Sequence, residues 1–466
     1  MALGRHCKRS FPTHDNKGSI DLIGGSIAGS ILRFSVPIFL GQLLQMLYNL
    51  ADAWVIGNFA DNNAFAAVST MGTVVFLIIG FSMGLSAGGS VVISRYFGAG
   101  DKEKVSMAIH TNYLLAVIIS IAATILGLTI TPHLLVWIGT PSEVIPYASV
   151  YLKIYFGGIS TVIFYNIAMS VMRALGDSIH PLIYLAVSSS MNVILDLLFV
   201  AHPAFHWGVA GAAAATVISQ GTSALLCIGR QLHMSDYTRL QIKKIRFIPE
   251  QMKEVVSLGL PSGVQNAVLT IGNLVVQKNV NSFGTYAMSG FGAYVKIESV
   301  VFLPILAMSM SIPTFISQNL GAARYDRAKK GAAFCLLFGV ATAQLIGFLT
   351  YLFAPDLLGI FTQEAQAIKY GTIHSHIVPL FYCVLAFAHC AAGIMRGCGK
   401  AVVPMVNMLV FWCIFRIIYV TLAVRFHPVF QSVSWAYPIT WSLTDIIFLF
   451  FLLKTDWVHN FEKRRG

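Results

Sequence analysis

The chain has 466 residues, of which 56% are hydrophobic and 11% charged, and its mean hydropathy is +0.72. Soluble proteins carry about 25% charged residues, so a soluble enzyme or soluble binding module is excluded and an all-α polytopic membrane protein is expected. Lys and Arg total 31 against 19 Asp and Glu, an excess that suits loops facing anionic lipid better than nucleic acid.

Residues 1–28 are polar and mildly basic and lack the apolar core of a signal peptide, so they are expected to form a cytoplasmic tail. Twelve apolar runs of spanning length follow, at 29–57, 64–94, 106–131, 146–172, 181–201, 208–229, 257–280, 287–317, 331–354, 369–395, 402–424 and 433–453. Several exceed the length needed to cross a bilayer, which predicts tilt or kinking. Alternation with a period of two is absent, which argues against a β-barrel. The longest polar break, 231–256, reads as a cytoplasmic linker between an N-terminal lobe (29–230) and a C-terminal lobe (257–453), and 454–466 as a cytoplasmic tail. With the N-terminus inside, about 25 of the 31 basic residues fall in the tails and in the breaks after even-numbered spans, which places both termini in the cytoplasm. The seven cysteines, at 7, 227, 335, 383, 390, 398 and 413, show no CxxC spacing and read as small apolar residues rather than a disulfide or zinc framework.

The two halves resemble each other. Pro37 in FSVPIFLGQ matches Pro261 in LGLPSGVQN, and twelve residues on Asn49 matches Asn273. ISRYFGAGDKEK (93–104) matches ISQNLGAARYDR (316–327), and MRALGDSIHP (172–181) matches MRGCGKAVVP (395–404). The offset stays at 223–224 throughout. Six spans per repeat is an even number, so the lobes enter the membrane in the same direction and relate by a pseudo-twofold axis along its normal, a common transporter plan with a central cavity.

An ionisable residue inside a span is unfavourable and marks a functional site by default. In the first half these are Asp52 in span one and Asp196 in span five. Asp52 lies about 30 Å and Asp196 about 25 Å of helix rise from the inner end of its span, so both belong in the outer half of the bilayer. Asn49 precedes Asp52 by three residues and Asn192 precedes Asp196 by four, so each pair shares a helix face. Thr216 in span six reaches a similar level. Two carboxylates in a poorly hydrated pocket cannot both stay ionised, so the pair can take up and release a proton. With the Asn and Thr oxygens the same cluster could hold Na+. A hydrogen-bonded polar knot that only fixes packing is the alternative. Aligned through the prolines Asp52 corresponds to Val276, and aligned through the MR motif Asp196 corresponds to Tyr419, so the second half lacks the acid pair. Pro37 removes one backbone hydrogen bond from span one and invites a bend. Lys296 and Glu298 in span eight form a secondary polar candidate, and Arg416 reads as a structural counter-charge.

At these residues the chain resembles the multidrug and toxic compound extrusion (MATE) family. The similarity runs through GSIAGSILRFSVPIFLGQ, NLADAWVIG, SRYFGAGDKEK, MRALGD, NVILDLLF and GVAGAAAAT in the first half, then KIES and ISQNLGAAR in the second. The resemblance implies two six-helix lobes forming a V around a central cavity. It also implies efflux of organic cations or other amphiphiles in exchange for H+ or Na+ by alternating access, without a cofactor. It points to the prokaryotic branch with its ion site in the N-terminal lobe, whose pattern matches Asp52, Asn192, Asp196 and Thr216, with Pro37 as the bend. A second branch carries a glutamate in span seven, where this chain reads SGVQNAVLT.

The expected protein is a monomeric multidrug antiporter of a prokaryotic plasma membrane, binding small cationic or amphiphilic compounds. The alternative is a lipid-linked precursor flippase of the same superfamily, which would want a more basic cavity than the first lobe's spans provide. A membrane-embedded enzyme would need a catalytic cluster such as HExxH or a serine with a histidine partner within a span, and the sequence is not expected to supply either.

Overall fold

The computed structural model describes residues 18–202, 207–234 and 236–459. The tail before residue 18, with Cys7, and the C-terminal residues from 460 lie outside the described residues. Twelve helical segments follow one another: α1 (Ile27–Phe59), α2 (Asn62–Gly98), α3 (Lys102–Trp137), α4 (Ile145–Gly157 continued by Ile159–Ala174), α5 (Ile179–Ala201), α6 (Val209–Leu232), α7 (Pro249–Asn281), α8 (Thr285–Val301 continued by Leu303–Gly321), α9 (Tyr325–Leu352), α10 (Ala365–Gly397), α11 (Val402–Phe426) and α12 (Phe430–Lys454). Segments α4 and α8 bend by 46° and 43° at their breaks. No strand occurs among the described residues.

Local chemistry starts these helices where the sequence turns polar. Ser26, Asp61 and Asp101 are the N-caps of α1, α2 and α3, and their side chains accept from the backbone N–H of Gly29, Ala64 and Lys104, each such cap stabilising by about 1 kcal/mol. Long apolar runs then carry the helices onward, a form in which the backbone satisfies most of its own hydrogen bonds, as a lipid environment requires. Large apolar side chains stay on the outside, Trp137 at 78% and Leu337 at 73% exposure among them, and a bilayer makes that surface favourable. The linker is shorter than the sequence suggests, because α7 starts at Pro249. Proline suits the first helical turn, and Met252, Val255 and Leu258 on the next turns are buried against the core of the first half.

The core is divided in two. One cluster holds side chains of α2 to α6, and the other those of α8 to α12. The first turns of α1 and α7 cross between them: Ile31, Phe34 and Ile38 are buried in the second cluster, while Met252, Val255 and Leu258 are buried in the first. The halves repeat each other in detail. Ser94 Oγ donates to the Ala174 carbonyl at 3.2 Å, and its counterpart Ser317 donates to the Gly397 carbonyl at 2.7 Å. Gly176 and Gly399 turn the chain with φ of +90° and +81° at equivalent places.

The halves meet most closely at the end of the bundle that carries the basic loops. Gly84 and Gly88 of α2 lie directly on the backbone of Gly263 and Gly259 of α7, leaving no room for a Cβ. Gly98 faces the Gln318 carbonyl and its repeat mate Gly321 faces the Arg95 carbonyl. These glycines are the small-residue contacts that let membrane helices approach closely. Arg95 also pairs with Glu254 across the two halves, and Tyr96 donates to the same carboxylate at 2.7 Å.

Candidate functional site

Asp52 sits near the far end of α1. Asp196 closes the α-helical part of α5, where the backbone widens into a π-helical turn at Leu197–Ala201, a distortion common at functional sites. The two carboxyls are direct electrostatic neighbours. Asp196 is fully buried, and Asn192 one turn earlier is nearly so. Both Asp196 oxygens, Asp52 Oδ1, and both polar atoms of Asn192 lie buried with no hydrogen-bonding partner. Among the described residues no Lys or Arg acts on either carboxyl. Asp196 is buried and Asp52 half-buried, and with no counter-charge acting on either, a proton or a cation between the two carboxyls would relieve their repulsion.

A small cavity opens one helical turn from Asp196, at Asn192. Asn192 and Thr216 line a cavity of about 10 Å³ with Tyr48, Ser188, Ser189, Ser219 and Gln220, close to the room one water or small ion needs. The Thr216 hydroxyl donates to the Ala212 carbonyl at 3.0 Å, which leaves its lone pairs available to a ligand. Asn192 and Thr216 thus share a small cavity that neither acid lines, and Tyr48, which does line it, is the electrostatic neighbour of Asp52 and Asp196.

Three neighbours escaped the sequence reading. Tyr48 lies within electrostatic reach of both acids, and its hydroxyl accepts from Gln220 Nε2 at 3.5 Å. Tyr151 of α4 reaches both acids too and stacks on Tyr155 with ring centres 6.2 Å apart. A signal existed for Tyr48, which precedes Asp52 by one helical turn. Asn49, expected on the acid face, is exposed instead, because three residues of a helix span 300° and Tyr48 fits the acid face better. Pro37 lies inside α1, which continues as one helix around it.

The second half holds a different polar cluster. Arg416 is 2% exposed, and its Nε and Nη2 donate to Thr440 Oγ1 at 3.2 and 2.7 Å. Its guanidinium lies over the rings of Tyr437 and Trp412, 4.7 and 5.4 Å from their centres. Glu298 is an electrostatic neighbour of Arg416 and of Tyr294, whose hydroxyl meets that of Tyr382 at 2.7 Å. Lys296 points elsewhere, exposed over the Phe361 ring at 5.5 Å. Asp445 in α12 is a further intramembrane acid that the sequence reading passed over, with Oδ1 buried and unpartnered. No group of three or more metal-ligating side chains occurs among the described residues.

Comparison with known proteins places these clusters in context. The MatE family model matches residues 37–198 and again 261–422, an offset of 224. The chain is 29% identical over 402 residues to the probable multidrug resistance protein YpnP of Bacillus subtilis (strain 168), covering 84% of this chain and 87% of that one. It is 25% identical over 381 residues to the multidrug export protein MepA of Staphylococcus saprophyticus, covering 80% and 82%. Its fold matches the outward-facing conformation of a multidrug resistance MATE family transporter of the MOP superfamily with a TM-score of 0.86, at 23% identity over 94% of this chain and 98% of that one.

Proposed function

The chain belongs to the MatE family, a multi-pass membrane transporter rather than an enzyme, and from that premise we propose that it is a multidrug efflux antiporter. It exports small cationic or amphiphilic compounds in exchange for H+ or Na+ bound at Asp52 and Asp196, with Asn192 and Thr216 as oxygen ligands. One observation carries this reading: two neighbouring intramembrane carboxyls, Asp196 buried and Asp52 half-buried, stand together with no cationic side chain acting on either.

On this reading the basic end of the bundle is cytoplasmic, with both termini there, in a prokaryotic plasma membrane. The glycine contacts of α2 with α7 hold that end shut. An occupant joining the two acids ties α1 to α5 above Pro37, where α1 lacks one backbone hydrogen bond. Binding there therefore biases the bend of α1 and the shape of the space between the halves. Antiport needs drug and ion to disfavour each other's bound state, a reciprocal coupling of about 1–3 kcal/mol.

The test is efflux of a fluorescent organic cation from proteoliposomes under separately imposed pH and Na+ gradients. Asp52→Asn and Asp196→Asn are expected to abolish gradient-driven efflux while leaving the unfolding temperature in detergent nearly unchanged. Undiminished driven efflux in both variants would reject the site.

A further inference from the structure

A second polar cavity lies deeper in the first half, toward the basic end. It measures about 20 Å³ and is lined by Gln42 and Gln45 of α1, Tyr165, Asn166 and Arg173 of α4, and Gln220 of α6, closed by apolar side chains. That is room for a water or two and no more, so it admits neither an organic substrate nor a hydrated cation.

The cavity connects to the acid site through one residue. Gln220 lines both cavities, and its Oε1 is buried without a partner. Its Nε2 donates to Tyr48, the electrostatic neighbour of Asp52 and Asp196, and Gln45, three residues before Tyr48 in α1, lines the second cavity. Tyr48 and Gln220 thus link the surroundings of the acid pair to the cavity that Arg173 lines.

Arg173 is the anomaly of this path. It is the next-to-last residue of its helix, at the basic end, where an arginine would ordinarily extend outward to the interface. Side chains on a helix lean toward its N-terminus, and Arg173 follows that lean into the bundle and lines the cavity. Its Nε is buried without a partner, and among the described residues no carboxylate pairs with it. The titratable groups that act on it are Tyr165 and Cys227. Its repeat mate Arg396 is held differently: that guanidinium donates to Gln265 at 3.3 Å and Ser309 at 3.1 Å. The repeated MR motif therefore does not itself require an unpaired charge.

We propose that Arg173 is an electrostatic plug: its unpaired guanidinium closes the water-sized route between the acid pair and the basic end of the first half against cations. A fixed positive charge in a narrow polar passage raises the barrier to protons and metal ions alike, while water remains free to fill it. The plug keeps the ion at Asp52 and Asp196 from leaking through the lobe, so that exchange is confined to the space between the halves. This inference rests on the acid pair being the ion site.

The experiment measures decay of an imposed pH gradient, and separately of a Na+ gradient, in substrate-free proteoliposomes. The wild-type protein is expected to hold both. Arg173→Gln is expected to speed decay of at least one by about tenfold or more, the scale on which removing a unit charge from a poorly screened path acts. Arg173→Lys keeps the charge and should stay tight. Asn166→Asp neutralises the guanidinium without removing it and should leak as well, which keeps the proposal testable if Arg173→Gln fails to fold. Adding Asp52→Asn should suppress either leak, since the route passes the acids. Tight membranes with both Arg173→Gln and Asn166→Asp, an equal leak in Arg173→Lys, or a leak indifferent to Asp52→Asn would each overturn the plug. Retained driven efflux in the single Asp52 and Asp196 variants would instead overturn the ion site itself, so the two failures are distinguishable.

Discussion

The two halves answer the same structural question in opposite ways. At the offset of 224 that separates the two family-matched stretches, one more than the MR motif gives, Asn192 and Thr216 of the first half fall on Arg416 and Thr440 of the second, and Asp196 falls on Val420 beside the Tyr419 that the motif gives. In the second half the arginine is present, donates to Thr440 and is opposed by Glu298. In the first half the arginine's place is taken by Asn192, whose polar atoms lack partners, and two carboxyls stand beside it without a counter-charge. One lobe carries its cation covalently attached; in the other no cationic side chain acts on the acids. On the proposed function, the duplicated scaffold keeps a self-neutralised core in one copy and leaves the other to exchange an ion.

That contrast can be broken or sharpened by experiment. The largest effect is expected from Arg416→Met, which strands Glu298 and its tyrosines and should destabilise the protein by about 3–5 kcal/mol, whereas Arg416→Met with Glu298→Leu should recover most of that loss. Thermal unfolding of the two single variants and the double variant in detergent gives the coupling; a double variant no more stable than Arg416→Met would mean the two charges do not compensate each other. Next comes Asn192→Arg, which installs in the first half the charge the second already owns. It should fold and should lose ion-driven efflux by about tenfold or more, within the range of allosteric couplings; wild-type efflux would show that the space beside the acids is not used. Replacing Gly88 by Leu forces α2 away from Gly259 and should destabilise the closed basic end by about 1–3 kcal/mol, the usual penalty of overpacking. Raised labelling by a thiol reagent of a cysteine placed near Leu85 would report it, and unchanged labelling would refute the tight contact. The smallest effect concerns a turn. Gly100 adopts φ +69°, and its repeat mate Ala323 holds φ +56° with a Cβ. Ala323→Gly should stabilise by up to about 1 kcal/mol and Gly100→Ala should destabilise by a similar amount; equal melting temperatures for both variants and wild type would remove strain from the account.

Much of this was legible in the residues. Apolar runs mark the twelve spans, because a helix of fixed rise needs a fixed length of apolar side chain to cross lipid. The acids stood out because charge within such runs is rare, and Asn192 because it shares a helix face with Asp196. Tyr48, Tyr151 and Gln220 did not, since neutral side chains of ordinary type carry no periodic signal. Asn49 misled, because three residues along a helix is a looser match of faces than four. Asp445 and Arg173 were present in the sequence but unremarkable there, one for lack of a motif and the other because it sits at a helix end among loop-proximal basic residues.

The sequence by itself therefore determined a membrane protein of twelve helices built by duplication, through composition, run length and a constant repeat offset. Only the tertiary structure decided which polar groups share a pocket and which are left without partners. Those outcomes depend on how α1, α4, α5 and α6 rotate against one another, and no one-dimensional spacing encodes the rotation of one helix relative to another. Burial and the absence of a counter-charge are properties of that packing, and they separate Asp52 and Asp196 from the self-neutralised Arg416 in an otherwise equivalent lobe.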